Sequence, residues 1–553
     1  MLEYLVDQVS PMKASACLVG IFFLACNIRK IQVSWEISRL GLRAPRMRFW
    51  LPYALDNVYA YVMANSRCED LTHWHNLMET AHGASTIDHV QTAELDFGIS
   101  NRVIITKDPE NIRALLTGQF ADYGKGELFH HDWKEFLGDS IFVTDGELWS
   151  RSRQLIRPMF TRDRIVDTEL FEHHVQHLLP LLAGTKSNKV VDLTPLFLRY
   201  TLDAATAYLF GEGTNSLQNP ATSFADAFSY VQHRQGEIFR YGYVHSSQIP
   251  SCCYLLSLQS PTEPNHQPSP FNPILSRTKF RQKLKTMNDF MAPFIQRALS
   301  LSPEELDKSL SKQETFIHAL ARFTRDPQVI RDQLTAILLA GRDTTATTLA
   351  FCFFELSRNP SVVKALRSEI ASRLGLGPSG SKPTYTDLKE MKYLTAVLNE
   401  TMRVYPVVPF NVRYALKNTT LPRGGGADGT GPVGVRADTR VIYSTMMMQR
   451  DPAHYPSPGS NKNYFDPGKW IPERWMGDWV PKPWYFVPFN GGPRICLGQQ
   501  FAMIEMGYTV VRILQVYESL TAVPPAGKDK VEDPMLRFEI TLNPGCELNC
   551  VFE

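Results

Sequence analysis

One cysteine near the C-terminus stands in a short segment whose residue types suit the binding of a metal. The segment runs Phe489-Asn-Gly-Gly-Pro-Arg-Ile-Cys496-Leu-Gly498 and fits the pattern F-x-x-G-x-R-x-C-x-G. A haem-ligating cysteine must be a thiolate, and Gly492 and Gly498 let the backbone approach a flat ligand and turn its amides toward sulfur. Arg494 would pair with a haem propionate, and Phe489 would shield the sulfur. The pattern predicts a haem site with Cys496 as the axial iron ligand; the alternative is an ordinary buried cysteine.

A second segment places an acid and an alcohol inside an apolar stretch. Ala340-Gly-Arg-Asp-Thr-Thr345 lies within the apolar region 333–357. Asp343 and Thr344 are costly in such a helix unless they have partners or a function. A hydroxyl beside iron can hold water and relay protons to dioxygen, and Gly341 would permit a kink that makes room for both. The alternative is a plain helix in which the threonine bonds back to a carbonyl.

Together these motifs resemble the cytochrome P-450 family of haem-thiolate monooxygenases, and the resemblance runs from about residue 95 to the end of the chain. It implies one mainly α catalytic domain with a small β part and haem b as cofactor. It also implies Asp343 and Thr344 as the catalytic pair and a hydrophobic small molecule as substrate. Only residues 497–553 follow Cys496, which is too short for a flavin domain. Electrons from NADPH are therefore expected through a separate reductase.

The resemblance also carries a set of structural residues. Glu400 and Arg403 form an E-x-x-R pair, and Arg474 lies in Pro472-Glu-Arg-Trp475, which resembles P-E-R-[FW]. By that resemblance the three form a buried charge triad under the haem. Loss of one member would leave an uncompensated charge and should prevent haem incorporation.

The same resemblance predicts which residues contact the haem propionates. Trp149 and Arg153 fit W-x-x-x-R, and Arg413 occupies a position where the family often supplies a further propionate ligand. In many relatives, a histidine directly precedes the arginine that corresponds to Arg450. This chain has Gln449 in place of that histidine. That departure leaves one propionate contact open.

Composition excludes several classes of protein. With 44% hydrophobic and 21% charged residues, the chain is neither disordered nor a polytopic membrane protein. Its 58 basic and 56 acidic residues give a formal charge of +2, so no nucleic-acid partner is expected. Nine scattered cysteines without a C-x-x-C pair argue against a disulfide framework or a four-cysteine zinc site.

The periodicity of apolar residues predicts which elements position these groups. It is helical around 162–183, 278–300, 328–358 and 387–404, and strand-like at Arg102–Thr106 and Arg440–Ser444. Glycine and proline saturate Leu421–Gly434, which predicts a surface loop between short strands. His173 and His177 lie four residues apart beside Glu172, a spacing that suits zinc. No third ligand has a recognisable spacing, so a solvated helix face is expected.

The N-terminus predicts a membrane anchor. Ala14–Ile28 is apolar and uncharged, and basic residues follow from Arg29 onward. We expect residues 1–30 to form a single-pass signal anchor and residues 31–553 a cytosolic catalytic domain, held at the endoplasmic reticulum membrane beside its reductase. The alternatives are a cleaved signal peptide and a buried helix.

Three stretches narrow the resemblance to the fungal alkane and fatty-acid hydroxylase branch and its secondary-metabolism relatives: 136–160, 421–429 and 489–501. A polyketide or terpenoid pathway is favoured by Gln449 and by the unusual segment Pro250–Pro273, itself either a surface loop or an apolar flap. Terminal hydroxylation of fatty acids or alkanes is the second reading. A haem-thiolate isomerase or dehydratase and a non-catalytic haem carrier are alternatives of other classes.

Overall fold

The computed structural model describes residues 11–47, 49–50, 54–81, 90–97, 101–160, 167–185, 189–246, 277–308, 315–377, 379–426, 428–457, 465–525 and 527–553. Helices make up most of this part of the chain, as predicted. They are α1 (Pro11–Leu40), α2 (Leu55–Ser66), α3 (Asp70–Glu79), α4 (Pro109–Arg113), α5 (Gly126–Leu137), α6 (Gly146–Ile156), α7 (Glu169–Leu182), α8 (Leu193–Phe210), α9 (Ser223–Ser246), α10 (Thr278–Ser300), α11 (Pro303–Lys308), α12 (Phe316–Phe323), α13 (Pro327–Arg358), α14 (Pro360–Leu374), α15 (Tyr385–Glu390), α16 (Lys392–Val404), α17 (Thr445–Gln449) and α18 (Gln499–Val516).

The strands form a smaller part. They are β1 (Thr92–Phe97), β2 (Asn101–Thr106), β3 (Tyr123–Gly124), β4 (Val191–Asp192), β5 (Phe410–Ala415), β6 (Thr419–Gly425), β7 (Gly431–Val435), β8 (Arg440–Ser444), β9 (Leu520–Val523), β10 (Leu536–Phe538), β11 (Leu542–Pro544) and β12 (Asn549–Phe552). The largest sheet has the order β1-β2-β8-β5-β3, in which only the β2–β8 pair is parallel. In its antiparallel β5–β8 pair, Arg413 lies opposite Val441.

Helix α13 runs through the core, and several other helices pack against it. Asp326 caps its start by accepting hydrogen bonds from the backbone of Gln328 and Val329, and Pro327 occupies the first turn, where a missing N–H costs nothing. Its 32 residues span about 48 Å. Most of its side chains are buried against α8, α16 and α18, so the helix holds its residues rigidly along the core.

The predicted helices are found, with one difference. Segments 278–300 and 328–358 form α10 and α13, and the described part of 162–183 contains α7. The segment 387–404 is broken at Met391 into α15 and α16. The break is stable because Glu369 of α14 accepts hydrogen bonds from the free backbone N–H groups of Tyr393 and Leu394, both at 2.9 Å.

The prediction of a surface loop over Leu421–Gly434 is wrong for most of its length. The segment contains most of the β6–β7 hairpin, and Leu421 and Val433 are buried in the core below it. Glycine serves close packing here: a β-carbon at Gly434 would lie 2.5 Å from the Ile37 carbonyl oxygen at the end of α1. The glycines therefore let this hairpin dock on α1.

The described part of the predicted anchor, residues 11–30, falls within α1, and so does the predicted domain boundary at residue 30. The end of α1 is fixed to the catalytic part by an ion pair of 2.6 Å between Glu36 and Arg436. Within the described ranges, no helix combines the length and the apolar character that crossing a membrane requires. The segment Pro250–Pro273 lies outside the described residues.

Candidate active site

Cys496 projects into a cavity from a tight loop just before α18. The loop is closed by hydrogen bonds from Cys496 N–H to the Phe489 carbonyl and from Ile495 N–H to the Gly492 carbonyl, both 3.0 Å. The Gly498 backbone N–H donates to the sulfur. The sulfur is therefore held from behind by the backbone and is open to the cavity in front.

The protonation of Cys496 depends on whether a cation is bound. Burial raises the pKa of the thiol above its ordinary value, while the Gly498 amide and the positive charge of Arg153 act in the opposite direction. The thiol therefore keeps its proton at neutral pH unless a metal ion takes the proton's place. The site is suited to a ligand that brings its own positive charge to the sulfur.

The structure supplies its own reason for glycine at position 492. Gly492 has a φ of +64°, and a β-carbon there would lie 1.8 Å from the Leu116 carbonyl oxygen. The loop thus needs glycine to pack against Leu116, in the helical turn Ala114–Gly118 that follows α4. The approach of Gly492 to a flat ligand stays a prediction. At Gly498 a β-carbon would meet the Cys496 sulfur only at 4.0 Å.

The cavity has a volume of about 550 Å³ and lies between the Cys496 loop, α13 and the main sheet. Ala340, Gly341 and Thr344 of α13 line the cavity, and so does Phe489 of the Cys496 loop. Gly341 leaves space there, since a β-carbon would contact only Ala205 at 3.9 Å. The rest of the wall is largely apolar and aromatic: Phe129, Trp133, Leu137, Ile337, Phe410 and Phe538.

A cluster of positive side chains lies along one edge of the cavity. Arg413 is buried and donates a hydrogen bond to the neighbouring Val412 carbonyl at 2.9 Å. Arg494 pairs with Asp145 at 2.6 Å, and burial followed by the charge of Arg413 lowers its pKa to about 10. Burial, Arg413 and Arg494 together hold the pKa of Lys125 well below its usual range.

This cluster fits the acidic edge of a haem. Among the described residues, the buried Nε atoms of Arg413 and Arg494 have no hydrogen-bond partner, and Asp145 is the carboxylate paired with the group. Two buried arginines and a lysine of lowered pKa beside one carboxylate leave the group short of negative charge, which is unfavourable in a buried site. Two propionates would supply the missing negative charges and accept the unused N–H donors.

Trp149 and Arg153 lie on α6 beside the same edge. The guanidinium of Arg494 stacks over the Trp149 ring at 4.7 Å. Arg153 instead donates to the Ile495 carbonyl at 3.2 Å, next to the cysteine. Its guanidinium also lies 5.9 Å from the Trp149 ring centroid, so the two residues remain neighbours, and its positive charge acts on the Cys496 sulfur as well.

Thr344 and Asp343 occupy different sides of α13. The Thr344 hydroxyl lines the cavity and donates to the Ala340 carbonyl at 2.6 Å, the back-bonded geometry of a helical threonine. Asp343 is buried behind it and accepts hydrogen bonds from Arg342, at 3.2 Å, and from Gln232 of α9. Burial raises the Asp343 pKa to about 6, although Arg342 acts to lower it.

Sequence reasoning missed three residues of this region: Lys125, Gln232 and Glu505. Glu505 of α18 is buried and hydrogen-bonds Thr345, and burial raises its pKa to about 8. Its one signal in the sequence is a carboxylate within the largely apolar segment 501–511. Lys125 and Gln232 carry no local signal, because each meets its partners across the fold.

The charge triad lies in the core below the cavity. Glu400 accepts from Arg403 at 2.7 Å and from Arg474 at 3.2 Å, and it also receives the Trp475 indole N–H at 2.9 Å. Burial alone would raise the pKa of Glu400, but Arg403 and Arg474 outweigh it and lower the pKa. The two arginines also donate to backbone carbonyls at Pro467 and Asp466, so the triad fixes the loop that precedes the cysteine segment.

Gln449 has a structural role in this fold. Its amide donates to the Met402 and Arg403 carbonyls at 3.1 and 3.2 Å and accepts from the Val487 N–H at 3.1 Å. The side chain is buried and joins the end of α16 to the segment leading to Cys496. Because the role of Gln449 is structural, this residue does not favour one substrate class over another.

Comparisons with known proteins agree with this geometry. The sequence pattern of the family described as Cytochrome P-450 matches residues 94–544. The chain is 39% identical over 562 residues to the cytochrome P-450 monooxygenase pvhE of Talaromyces variabilis, covering 98% of this chain and 96% of that protein.

Yeast proteins match over a shorter part. Identity is 40% over 448 residues with cytochrome P-450 52A4 of Candida maltosa, covering 80% of this chain and 77% of the relative. It is 40% over 440 residues with cytochrome P-450 52A1 of Candida tropicalis, covering 76% and 74%. The family predicted from the sequence is confirmed: this chain belongs to the cytochrome P-450 family and is an oxidoreductase of the monooxygenase class.

Proposed function

We propose that the protein hydroxylates or oxidises a hydrophobic small molecule, using dioxygen and electrons from NADPH that a separate reductase delivers. The observation that carries this proposal is one apolar cavity that places the Cys496 sulfur, the Thr344 hydroxyl and a cationic edge on its wall. An apolar wall favours a substrate of low polarity and excludes water from the reacting centre.

The residues present suit haem b. Cys496 would ligate the iron, with Phe489 and Gly498 beside the sulfur. Arg413, Arg494, Trp149 and Lys125 would hold the propionates, and Arg153 would favour the thiolate. When bound, a haem thiolate supplies the redox chemistry that activates dioxygen. Glu400, Arg403 and Arg474 would act structurally, by holding the loop that carries the ligand.

Residues of α13 are suited to proton delivery. Thr344 needs a rotation about one bond to release the Ala340 carbonyl and present its hydroxyl to the cavity. Asp343 has a pKa of about 6 and therefore exchanges protons readily near neutral pH. We assign the movement of protons toward the cavity to this pair, with Gln232 and Arg342 holding the carboxylate in place.

A secondary-metabolite substrate, polyketide or terpenoid, is the class we favour. In support, the match to the Talaromyces monooxygenase extends over nearly the whole of both chains, whereas the yeast relatives match over about four fifths or less. Aromatic wall residues such as Phe129 and Trp133 also suit a compact or ring-containing molecule. Long-chain fatty acids or alkanes are the second substrate class. The resemblance of the cysteine segment to the fungal alkane and fatty-acid hydroxylase branch supports this class.

Two measurements test this proposal. Purified protein reconstituted with reductase should turn substrate over only when NADPH is added. Turnover in the absence of both reductase and NADPH would favour the isomerase or dehydratase. No turnover with any substrate would favour a haem carrier. A titration with a long-chain fatty acid, followed in the ferric Soret band, separates the substrate classes. We expect no saturable spin-state shift; a saturable shift would favour terminal hydroxylation.

We also propose that residues 1–30 anchor the enzyme in the endoplasmic reticulum membrane, with residues 31–553 in the cytosol. Ile21, Leu24 and Ile28 are exposed apolar side chains on α1, and Arg29 and Lys30 follow directly. Deleting residues 1–30 should move the protein from the membrane to the soluble fraction. An unchanged membrane fraction would contradict the anchor.

A further inference from the structure

Three histidines of α7 form a cluster far along the chain from the cysteine segment. They are His173, His174 and His177, in the sequence His-His-Val-Gln-His. Positions three and four residues apart lie side by side on a helix, so His177 neighbours both of the others. The sequence pattern drew attention to His173 and His177 alone; His174 is the third imidazole that a metal site needs.

The three rings are close enough to share one ion. The His173 ring centroid lies 5.0 Å from those of both His174 and His177, and one nitrogen of each ring lies within 4.8 Å of the others. Three nitrogens around a tetrahedral zinc ion are about 3.3 Å apart, given bonds of about 2.0 Å. His173 is exposed and His177 half-buried, so both side chains have room to rotate and close this gap.

His174 provides a fixed and unused ligand. It is only 4% exposed, and its Nε2 has no hydrogen-bond partner among the residues that the structure describes. An imidazole nitrogen without a hydrogen-bond partner can offer its lone pair to a metal ion.

The neighbouring carboxylate does not complete the site. Glu172 accepts hydrogen bonds from Tyr508, Arg512 and Gln176 at 2.6 to 3.1 Å, on the side of α7 that packs against α18. Its oxygens are therefore committed to the core. A fourth coordination position would be left to water.

We propose that His173, His174 and His177 bind one divalent transition-metal ion of the class of zinc, nickel or copper. Imidazole ligands select these ions over magnesium and calcium, which prefer oxygen. The site is separate from the iron site and uses only residues of α7.

The test is a titration of the full-length, untagged holoenzyme with zinc chloride, followed by calorimetry. We expect one tight site per chain. His173→Ala and His177→Ala should each raise the Kd at least about tenfold, because each removes a direct ligand. His75→Ala, which removes an exposed histidine elsewhere, is the matched control and should leave the Kd unchanged.

Zinc-edge X-ray absorption then counts the ligands. Three imidazoles in the wild-type protein and two in His177→Ala would support the site. Two or fewer imidazoles in the wild type, or a Kd that the double variant His173→Ala/His177→Ala does not change, would overturn it. The reduced carbonyl spectrum of each variant shows that the catalytic domain is still folded, so a loss of zinc binding cannot be ascribed to unfolding.

Discussion

At the scale of single residues, Thr344 combines a position on the cavity wall with a hydrogen bond to its own helix. Its hydroxyl serves the cavity only when it leaves the Ala340 carbonyl. Removing the hydroxyl should therefore impair proton delivery while leaving the helix intact.

We expect Thr344→Ala to lower the fraction of NADPH electrons recovered in product at least about tenfold, the scale of a lost proton-transfer group. Thr344→Ser should retain most coupling. Thr348→Ala is the matched control, because Thr348 also lines the cavity and bonds back one turn away, to the Thr344 carbonyl at 2.8 Å. Equal uncoupling in the Thr344→Ala and Thr348→Ala variants would contradict the role of Thr344.

The buried Glu505 carboxyl predicts how the stability of the protein depends on pH. Its pKa in the folded protein is about 8 against an ordinary value of 4.5. A raised pKa means that its contribution to stability is complete below pH 4.5 and is lost as pH rises through 8, at up to about 1.4 kcal/mol per pH unit. Glu505→Gln keeps the shape without the charge, so its Tm should fall less than that of the wild type between pH 6 and 9. Parallel Tm curves would contradict burial of the carboxyl.

At the scale of elements, the loop before α18 depends on how closely it packs against the helical turn Ala114–Gly118 that follows α4. Gly492→Ala adds both a strained positive φ and a clash with the Leu116 carbonyl. Gly377→Ala is the matched control, since Gly377 has a φ of +71° with nothing within 4 Å of a β-carbon.

We expect Gly377→Ala to cost about 1–2 kcal/mol of unfolding free energy, the cost of the left-handed conformation alone. Gly492→Ala should cost more and lower haem content as well, because the loop that carries Cys496 must move. Haem content per chain and denaturant unfolding measure both effects. Equal losses in the two variants would show that packing against Leu116 is unimportant.

The charge triad also acts at the scale of elements, because it joins α16 to the loop before the cysteine segment. Glu400→Gln should cost about 3–5 kcal/mol, since it leaves Arg403 and Arg474 buried without a counter-charge. Haem incorporation should fall with it, as measured by the ratio of Soret to protein absorbance. Glu532→Gln, in an exposed pair with Lys528, should change neither. Normal haem content in Glu400→Gln would contradict the structural role.

At the scale of the whole molecule, the cavity is assembled from segments that are distant in sequence. Local patterns were enough to predict the cysteine loop, the central helix and the strand Arg440–Ser444. Lys125, Gln232 and His174 could not be predicted, because their roles depend on partners that only the tertiary structure brings near. The error at Leu421–Gly434 has the same origin: glycine there serves strand packing against α1, which composition alone does not reveal.

The central claim is that the fold presents Cys496 as the thiolate ligand of haem iron. The direct measurement is the absorption spectrum of the reduced carbon monoxide complex of the wild type, of Cys496→Ala and of the control Cys546→Ala. We predict a thiolate-type spectrum for the wild type and for the control, and its loss in Cys496→Ala. A thiolate-type spectrum in Cys496→Ala would contradict the account.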